Sequence, residues 1–421
     1  MPAALYATST GALRVDEGLT ALGRSGWRID APERFIELPE GAALVHLPGR
    51  RPLGGSPAGV PAQPRSRSAV AVAAVLPPGY LRTWMPAYEE DQRAPTLPLY
   101  GYAAVGAVAG RPVVAALRTD AWDAWDPQAP IRRRVAPGIA AARHDLPGNR
   151  LVAHLVTCAT DYRCLTAQNL FLRAGEGAVP VSPACNAACL GCISEQWGDV
   201  DAPQTRLAFA PSVAEIVELC AWHLKQGRRN FISFGQGCEG EPLTRGAPLV
   251  EATKRLRAAY PRATIHLNTN ASRPDTMQAL LWAGLNSVRI SLFSLDDARF
   301  RAYYRPVGYG LEQILECAAL VHRAGAQLTV NLLTFPGVTD APDEIARLQA
   351  FIAAHGVHQV QLRTLNVDPL WLLGRLPEPT AGIGMRRFVE ELRSSTPGLK
   401  LGNFTRPWLE QQPDPAAVSL R

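Results

Sequence analysis

An α/β fold, an open barrel preceded by a smaller β-rich domain, is what this sequence predicts. Three observations lead there. Between about residues 176 and 370, short apolar runs alternate with amphipathic segments of helical period. Residues 1–145 instead carry short extended runs separated by Pro and Gly. The 421-residue length and 47% apolar composition suffice for one large core and a smaller one.

In the alternating region, VPVS (179–182), FISF (231–234), TIHLN (264–268), SVRISL (287–292), LTVNLL (328–333) and VQLRTL (360–365) read as strands. Each after the first follows an amphipathic segment. Gly227, Gly284, Gly325 and Gly356 stand where helices end in a left-handed residue. In SVAEIVELCAWHLKQG, Ser212 is a capping residue, and Val213, Ile216, Cys220 and Leu224 share one face. Strand, helix, strand repeated this way gives right-handed crossovers and a parallel sheet. Six strands make a partial, TIM-like (β/α)6 barrel rather than a closed one. Function then belongs in the loops at the strands' C-terminal ends.

The flanks read differently. RFIEL, ALVHL, SAVAVAAVL and RPVVAAL, within 1–145, predict a β-rich accessory domain, and its Pro/Gly-rich stretch 48–68 predicts a flexible loop. Residues 146–175 read as a connecting segment before the core of 176–370. Residues 371–421 form a C-terminal extension with one helix at 384–395 and irregular chain after it.

Composition narrows the function classes. The formal charge is +6, but lysine occurs only at Lys225, Lys254 and Lys400, so the positive charge is scattered arginine rather than a nucleic-acid-binding patch. No stretch reaches the ~18 apolar residues that span a bilayer, and the opening lacks a charged-then-apolar leader. The eight cysteines cluster and do not form the spread framework of a secreted domain. These features point to a cytoplasmic, reducing setting without membrane association.

Three of the cysteines carry the chemistry. Cys185, Cys189 and Cys192 form C-x3-C-x2-C directly after the first strand. Three thiolates can hold three irons of a cubane [4Fe–4S] cluster and leave the fourth without a protein ligand. Structural zinc prefers four ligands, usually as two close pairs, and no such partner pair follows. The odd number favours the cluster.

The spacing resembles that of radical S-adenosylmethionine (SAM) enzymes, and the loop after the next strand strengthens the likeness. FGQGCEGEPLT (234–244) contains Gly240-Glu241-Pro242, similar to the family's GGEP motif. The resemblance implies that Gly240 lets backbone approach the SAM methionine moiety and that Glu241 accepts its ammonium. It further implies cofactor contacts at Asn270 in NTNAS (268–272), at Ser291 on the fourth strand and at Asn331 on the fifth. TFPGVTD (334–340) supplies a glycine, Gly337, near the adenosine. Two departures stand out: Gly191 precedes the third cysteine where the family commonly has an aromatic residue, and Ala271 replaces the glycine of its TNG turn.

As a family member, the chain is expected to cleave SAM reductively at the [4Fe–4S] cluster, giving a 5′-deoxyadenosyl radical that abstracts hydrogen from a substrate. A one-electron donor of flavodoxin or ferredoxin type is implied. Peptide, RNA and small-molecule substrates all stay open. The competing reading is a non-catalytic regulatory protein in which the cysteines hold zinc or a sensing cluster.

Other residues keep two readings. Cys158 and Cys164, with Cys238 beside the cofactor loop, are either ligands of a second metal site or buried thiols. Cys220 and Cys317 fall on apolar helix faces and read as core. His223, His322 and His355 lie in helical patterns. Tyr303, Tyr304 and Arg305, in FRAYYRPVGYG (300–310), either face substrate or pack at a helix end.

Overall fold

A computed structural model describes residues 1–120, 125–126, 129–196, 200–225 and 230–408. Three helices, α1 (Val135–Asp145), α2 (Arg150–Thr160) and α3 (Leu165–Leu172), lead into a parallel sheet. Its strands are β1 (Glu176–Val179), β2 (Phe231–Phe234), β3 (Ile265–Thr269), β4 (Ser287–Leu292), β5 (Gln327–Thr334), β6 (Gln359–Thr364) and β7 (Lys400–Gly402), paired in sequential order. The crossovers carry α4 (Val213–Leu224), α5 (Gly246–Ala259), α6 (Pro274–Trp282), α7 (Asp297–Tyr304), α8 (Leu311–Arg323), α9 (Pro342–His355), α10 (Pro369–Leu373) and α11 (Met385–Ser395). This is the expected α/β partial barrel, with an antiparallel β region N-terminal to it.

The helices form for the reasons their sequences suggest. Ser212 caps α4 in a full capping box with Glu215, and Ile216, Cys220 and Leu224 are buried. Gly284, Gly325 and Gly356 follow helices with φ of +103°, +64° and +60°. Gly227 lies outside the described residues.

Four expectations need correction. The first strand is Glu176–Val179, not 179–182. Pro180 has no N–H to continue a ladder, and the amides of Val181 and Ser182 donate instead to Glu239 Oε2, at 2.7 and 2.9 Å. The sheet has seven strands, not six, because Lys400–Gly402 pairs with β6 from within the stretch expected to be irregular. Residues 146–175 are mostly α2 and α3, docked on the main core through Leu151, Leu155 and Leu170. The 48–68 stretch contains paired short strands, Arg50–Pro52, Gly54–Gly55 and Pro61–Ala62.

Apolar and polar side chains alternate along the central strands. Val288, Ile290 and Leu292 of β4, and Leu328, Val330 and Leu332 of β5, are buried apolar residues. Their alternates, including Arg289, Ser291 and Asn331, form the polar lumen. Arg289 Nη1 shows the concavity: it reaches past β5 to Gln361 Oε1 at 2.7 Å and Thr405 Oγ1 at 2.8 Å.

The N-terminal region centres on Ala3–Ala7, which pairs antiparallel with Leu13–Ala21, Val70–Val75 and Val105–Val108. It covers the loops beyond β5 and β6. Arg50 Nη2 donates to Asp368 Oδ2 at 2.6 Å, and the Leu97 amide reaches the same oxygen at 2.9 Å. The Gly26 amide donates to Pro336 O at 2.9 Å, so Gly337 lies against this region rather than against the site.

Candidate active site

The loop following β1 presents Cys185, Cys189 and Cys192, all partly buried and none in a disulfide. Neighbouring loops grip it from two sides. On one side lies the loop after β2: Gly240 N donates to Ser182 O and Glu241 N to Ala184 O, both at 2.8 Å. A Cβ on Gly240 would stand 2.0 Å from Ala184 O, so only glycine lets the two loops lie this close. On the other side runs the chain leaving α7. Ala188 N donates to Tyr304 O and Leu190 N to Tyr303 O, at 3.0 Å, and Val307 N to Asn186 O at 2.9 Å. The FRAYYRPVGYG segment, whose role its sequence left open, is therefore a rail for the cysteine loop.

Glu241 is buried and already engaged. Its Oε1 accepts from Leu243 N at 3.0 Å and Thr269 Oγ1 at 2.5 Å, and Oε2 accepts from Asn270 N at 2.7 Å. Burial nevertheless pushes its carboxyl up to about 7. The carboxylate fastens the second strand's loop to the third. Asn270 extends that chain, with Nδ2 donating to Asn186 Oδ1 of the cysteine loop at 2.9 Å. Ala271 beside it sits at φ +57°, the left-handed conformation that the glycine of a TNG turn adopts without strain and that costs other residues ~1–2 kcal/mol.

Sequence reasoning passed over Glu239. While its Oε2 holds Val181 and Ser182, its Oε1 is buried without a hydrogen-bond partner, and burial raises this carboxyl well above the usual range. The signal was present in the CEGE sequence, where two carboxylates flank one glycine.

A cavity of about 500 Å³ opens at the C-terminal ends of the strands and brings these parts together. Cys185, Cys189, Cys192, Glu239, Gly240 and Glu241 line it, as do Asn270, Ser291 and the buried rings of Tyr303 and Tyr304. Asn331 does not reach the cavity wall. It pairs in register with Ser291 one strand away, with Oδ1 buried and unpartnered. Arg363, also in the lumen, donates from Nη2 to Gln361 Oε1 at 3.5 Å. Burial and the charge of Arg289 lower its pKa to about 10.

Among the remaining residues, Cys220 and Cys317 are fully buried in the core. His223 is fully buried between the carbonyls of Leu170 and Gly175. Cys158, Cys164 and Cys238 gather on the same side of the barrel as the cavity, Cys164 and Cys238 in its wall.

Three thiols, none in a disulfide, thus stand in one loop at the mouth of an open parallel barrel, in the wall of a cavity that Glu239 and Glu241 also line. The sequence profile of the Radical SAM superfamily matches residues 179–348. GTP 3′,8-cyclase of Chlorobaculum tepidum is 28% identical over 53% of this chain and 62% of its own length. The Listeria monocytogenes enzyme of the same name is 30% identical over 41% and 49%. Molybdenum cofactor biosynthesis protein 1 of Mus musculus is 26% identical over 53% and 32%. The chain thus spans less than two thirds of each relative. Among solved structures, methylornithine synthase matches at 14% identity and TM-score 0.39, covering 64% of this chain and 70% of that one. Streptococcus suis SuiB bound to its precursor peptide SuiA matches at 14% and 0.37, covering 61% and 53%.

The matched family implies a [4Fe–4S] cluster and SAM. The residues fit both. Three thiols are the right donors for three irons, and the orphaned Glu239 Oε1 lacks the hydrogen-bond donor that an ammonium supplies. Among the described residues no helix is long and apolar enough to cross a membrane.

Proposed function

We propose that this chain is a radical SAM enzyme in which Cys185, Cys189 and Cys192 ligate the [4Fe–4S] cluster. The observation that carries this reading is the shared cavity, whose wall brings the three cysteines together with Glu239, Gly240 and Glu241. When bound, the cluster and SAM supply one-electron reductive cleavage that yields a 5′-deoxyadenosyl radical. Glu239 and the Gly240 backbone receive the amino end of SAM. Glu241 and Asn270 hold the loops that do so in place, and Ser291 offers a hydroxyl to the ribose. Asn331, in register with Ser291 on the next strand, offers a further polar contact to the cofactor. Tyr303, Tyr304 and the N-terminal β domain exclude water.

The substrate lies in the lumen, and the lumen's chemistry selects for an anion. Arg289 and Arg363 bring two guanidiniums there, and Glu176 is a carboxylate within electrostatic reach of both. Relatives named GTP 3′,8-cyclase make a nucleotide the first small molecule to try. The donor is a flavodoxin- or ferredoxin-like protein, in a reducing compartment.

The zinc reading has less to stand on. Cys185, Cys189 and Cys192 supply three thiols in one loop, where structural zinc takes four protein ligands. The test is anaerobic reconstitution with iron and sulfide, reduction by dithionite, and quantification of 5′-deoxyadenosine from SAM. Release of 5′-deoxyadenosine that Cys189→Ala abolishes is expected. A fully loaded protein that leaves SAM intact overturns the reading.

A further inference from the structure

We propose that Cys158 and Cys238 form a reversible disulfide whose making and breaking sets the position of the loop that carries Glu239 and Gly240. Its consequence for SAM rests on the function proposed above; the disulfide itself does not. Cys158 stands on α2 and Cys238 in the loop after β2, far apart in sequence, yet their sulfurs lie 3.6 Å from one another. Bonded sulfurs stand about 2.05 Å apart, so a movement of about 1.5 Å closes the bond.

The two thiols are not equivalent. Cys158 is fully buried, whereas Cys238 is half-buried in the cavity wall. The Cys158 S–H donates to the Cys238 sulfur, which favours the attacking thiolate form on Cys238. Cys238 is thus the sulfur that an oxidant reaches first, and Cys158 is the one that resolves. Cys164, also in the wall, meets Thr166 Oγ1 at 3.2 Å, and Cys220 and Cys317 lie in the apolar core.

The reaction is exchange with a low-molecular-weight disulfide. The Cys238 sulfur attacks one sulfur of that disulfide, whose S–S bond breaks, and a small thiol leaves with the Cys238 proton. Cys158 then attacks the Cys238 sulfur of the mixed disulfide, and the second small thiol leaves with the Cys158 proton. The protein pair loses two electrons and the small disulfide gains them.

The loop has little slack in which to absorb this bond. His154 Nε2 donates to Gly237 O at 2.6 Å, and Leu207 N to Cys238 O at 2.8 Å. Gly237 and Cys238 are both left-handed, at φ +93° and +59°. A Cβ on Gly235 would stand 2.0 Å from Asn268 O, so that end is packed against β3. Directly beyond Cys238, Glu239 Oε2 holds the amides of Val181 and Ser182, and Gly240 N donates to Ser182 O. Drawing the Cys238 sulfur toward α2 therefore disturbs the contacts between this loop and the cysteine loop, and SAM binds less tightly.

Anaerobic treatment of the reconstituted full chain with cystamine, followed by alkylation and peptide mapping, tests the pair. Wild type should show a Cys158–Cys238 disulfide that dithiothreitol removes. Cys158→Ala should stop at a cysteamine adduct on Cys238, and Cys238→Ala should carry none on Cys158. Three results overturn the proposal: a Cys164–Cys238 disulfide, an adduct on Cys158 in the Cys238→Ala variant, or unmodified Cys158 and Cys238 in folded wild type. SAM affinity, measured by equilibrium dialysis, should fall at least tenfold on oxidation and return on reduction. Unchanged affinity in the disulfide form overturns the control of the loop. A reduced chain that never binds SAM counts against the proposed function, and the mapping then decides the pair by itself.

Discussion

Tyr303 Oη lies 3.0 Å from the point where a side chain would leave Gly191, with Leu365 Cδ1 at 3.1 Å beside it. The position before the third cysteine, commonly aromatic in the superfamily, is glycine here, and a tyrosine from the end of α7 fills the space. Leu190 N donates to that tyrosine's carbonyl, so ring and loop are registered together. Restoring an aromatic residue at 191 therefore overpacks the loop, at about 1–3 kcal/mol. Gly191→Phe should lower the iron retained after reconstitution several-fold, and adding Tyr303→Ala should recover part of it. Full iron content in the single variant would count against this packing.

Gly240→Ala probes the other grip on the cysteine loop. Its Cβ would meet the backbone oxygen of Ala184, which cannot rotate aside as a side chain can. The two loops must separate, so cluster incorporation should fall at least tenfold. Far-UV circular dichroism should stay unchanged, because the barrel strands are not involved. A variant with normal iron content shows that the loops are not coupled.

Glu241 gives a pH signature in the cluster-free protein. Burial raises its carboxyl from the usual 4.5 to about 7, so the folded state binds the proton more tightly than the unfolded chain. Its contribution is most favourable below pH 4.5 and is lost as pH rises through 7, a change of up to about 3 kcal/mol. Glu241→Gln removes this titration. The stability difference between wild type and variant, followed by urea unfolding, should shift against wild type between pH 4.5 and 7. A pH-independent difference refutes the assignment.

Arg50 ties the N-terminal β region to the barrel. It is almost fully buried, with its guanidinium on both Asp368 and Glu90. Arg50→Met leaves Asp368 buried without its cation, at about 3–5 kcal/mol. Urea unfolding should show that loss. A change below 1 kcal/mol would mean that the Leu97 amide and the α10 N-terminus hold Asp368 by themselves.

The sequence by itself determined the α/β alternation, the cysteine loop after the first strand and the acidic loop after the second. Those signals are local: strand alternation, helix caps and ligand spacing are set within a few residues. It also carried a polar lumen, legible afterwards in the alternation of SVRISL and LTVNLL. Long-range contact alone decided the rest. Lys400–Gly402 is a strand only because β6 offers it an edge, with no apolar run to announce it. The Glu241 carboxylate was expected to accept an ammonium; what spacing did not show is that Thr269 and Asn270 donate to it as well. Glu239, two residues earlier, holds the amides of Val181 and Ser182. The partners of two neighbouring carboxylates depend on the donors that separate strands deliver. No spacing rule encodes that, because those donors are near only in the folded chain.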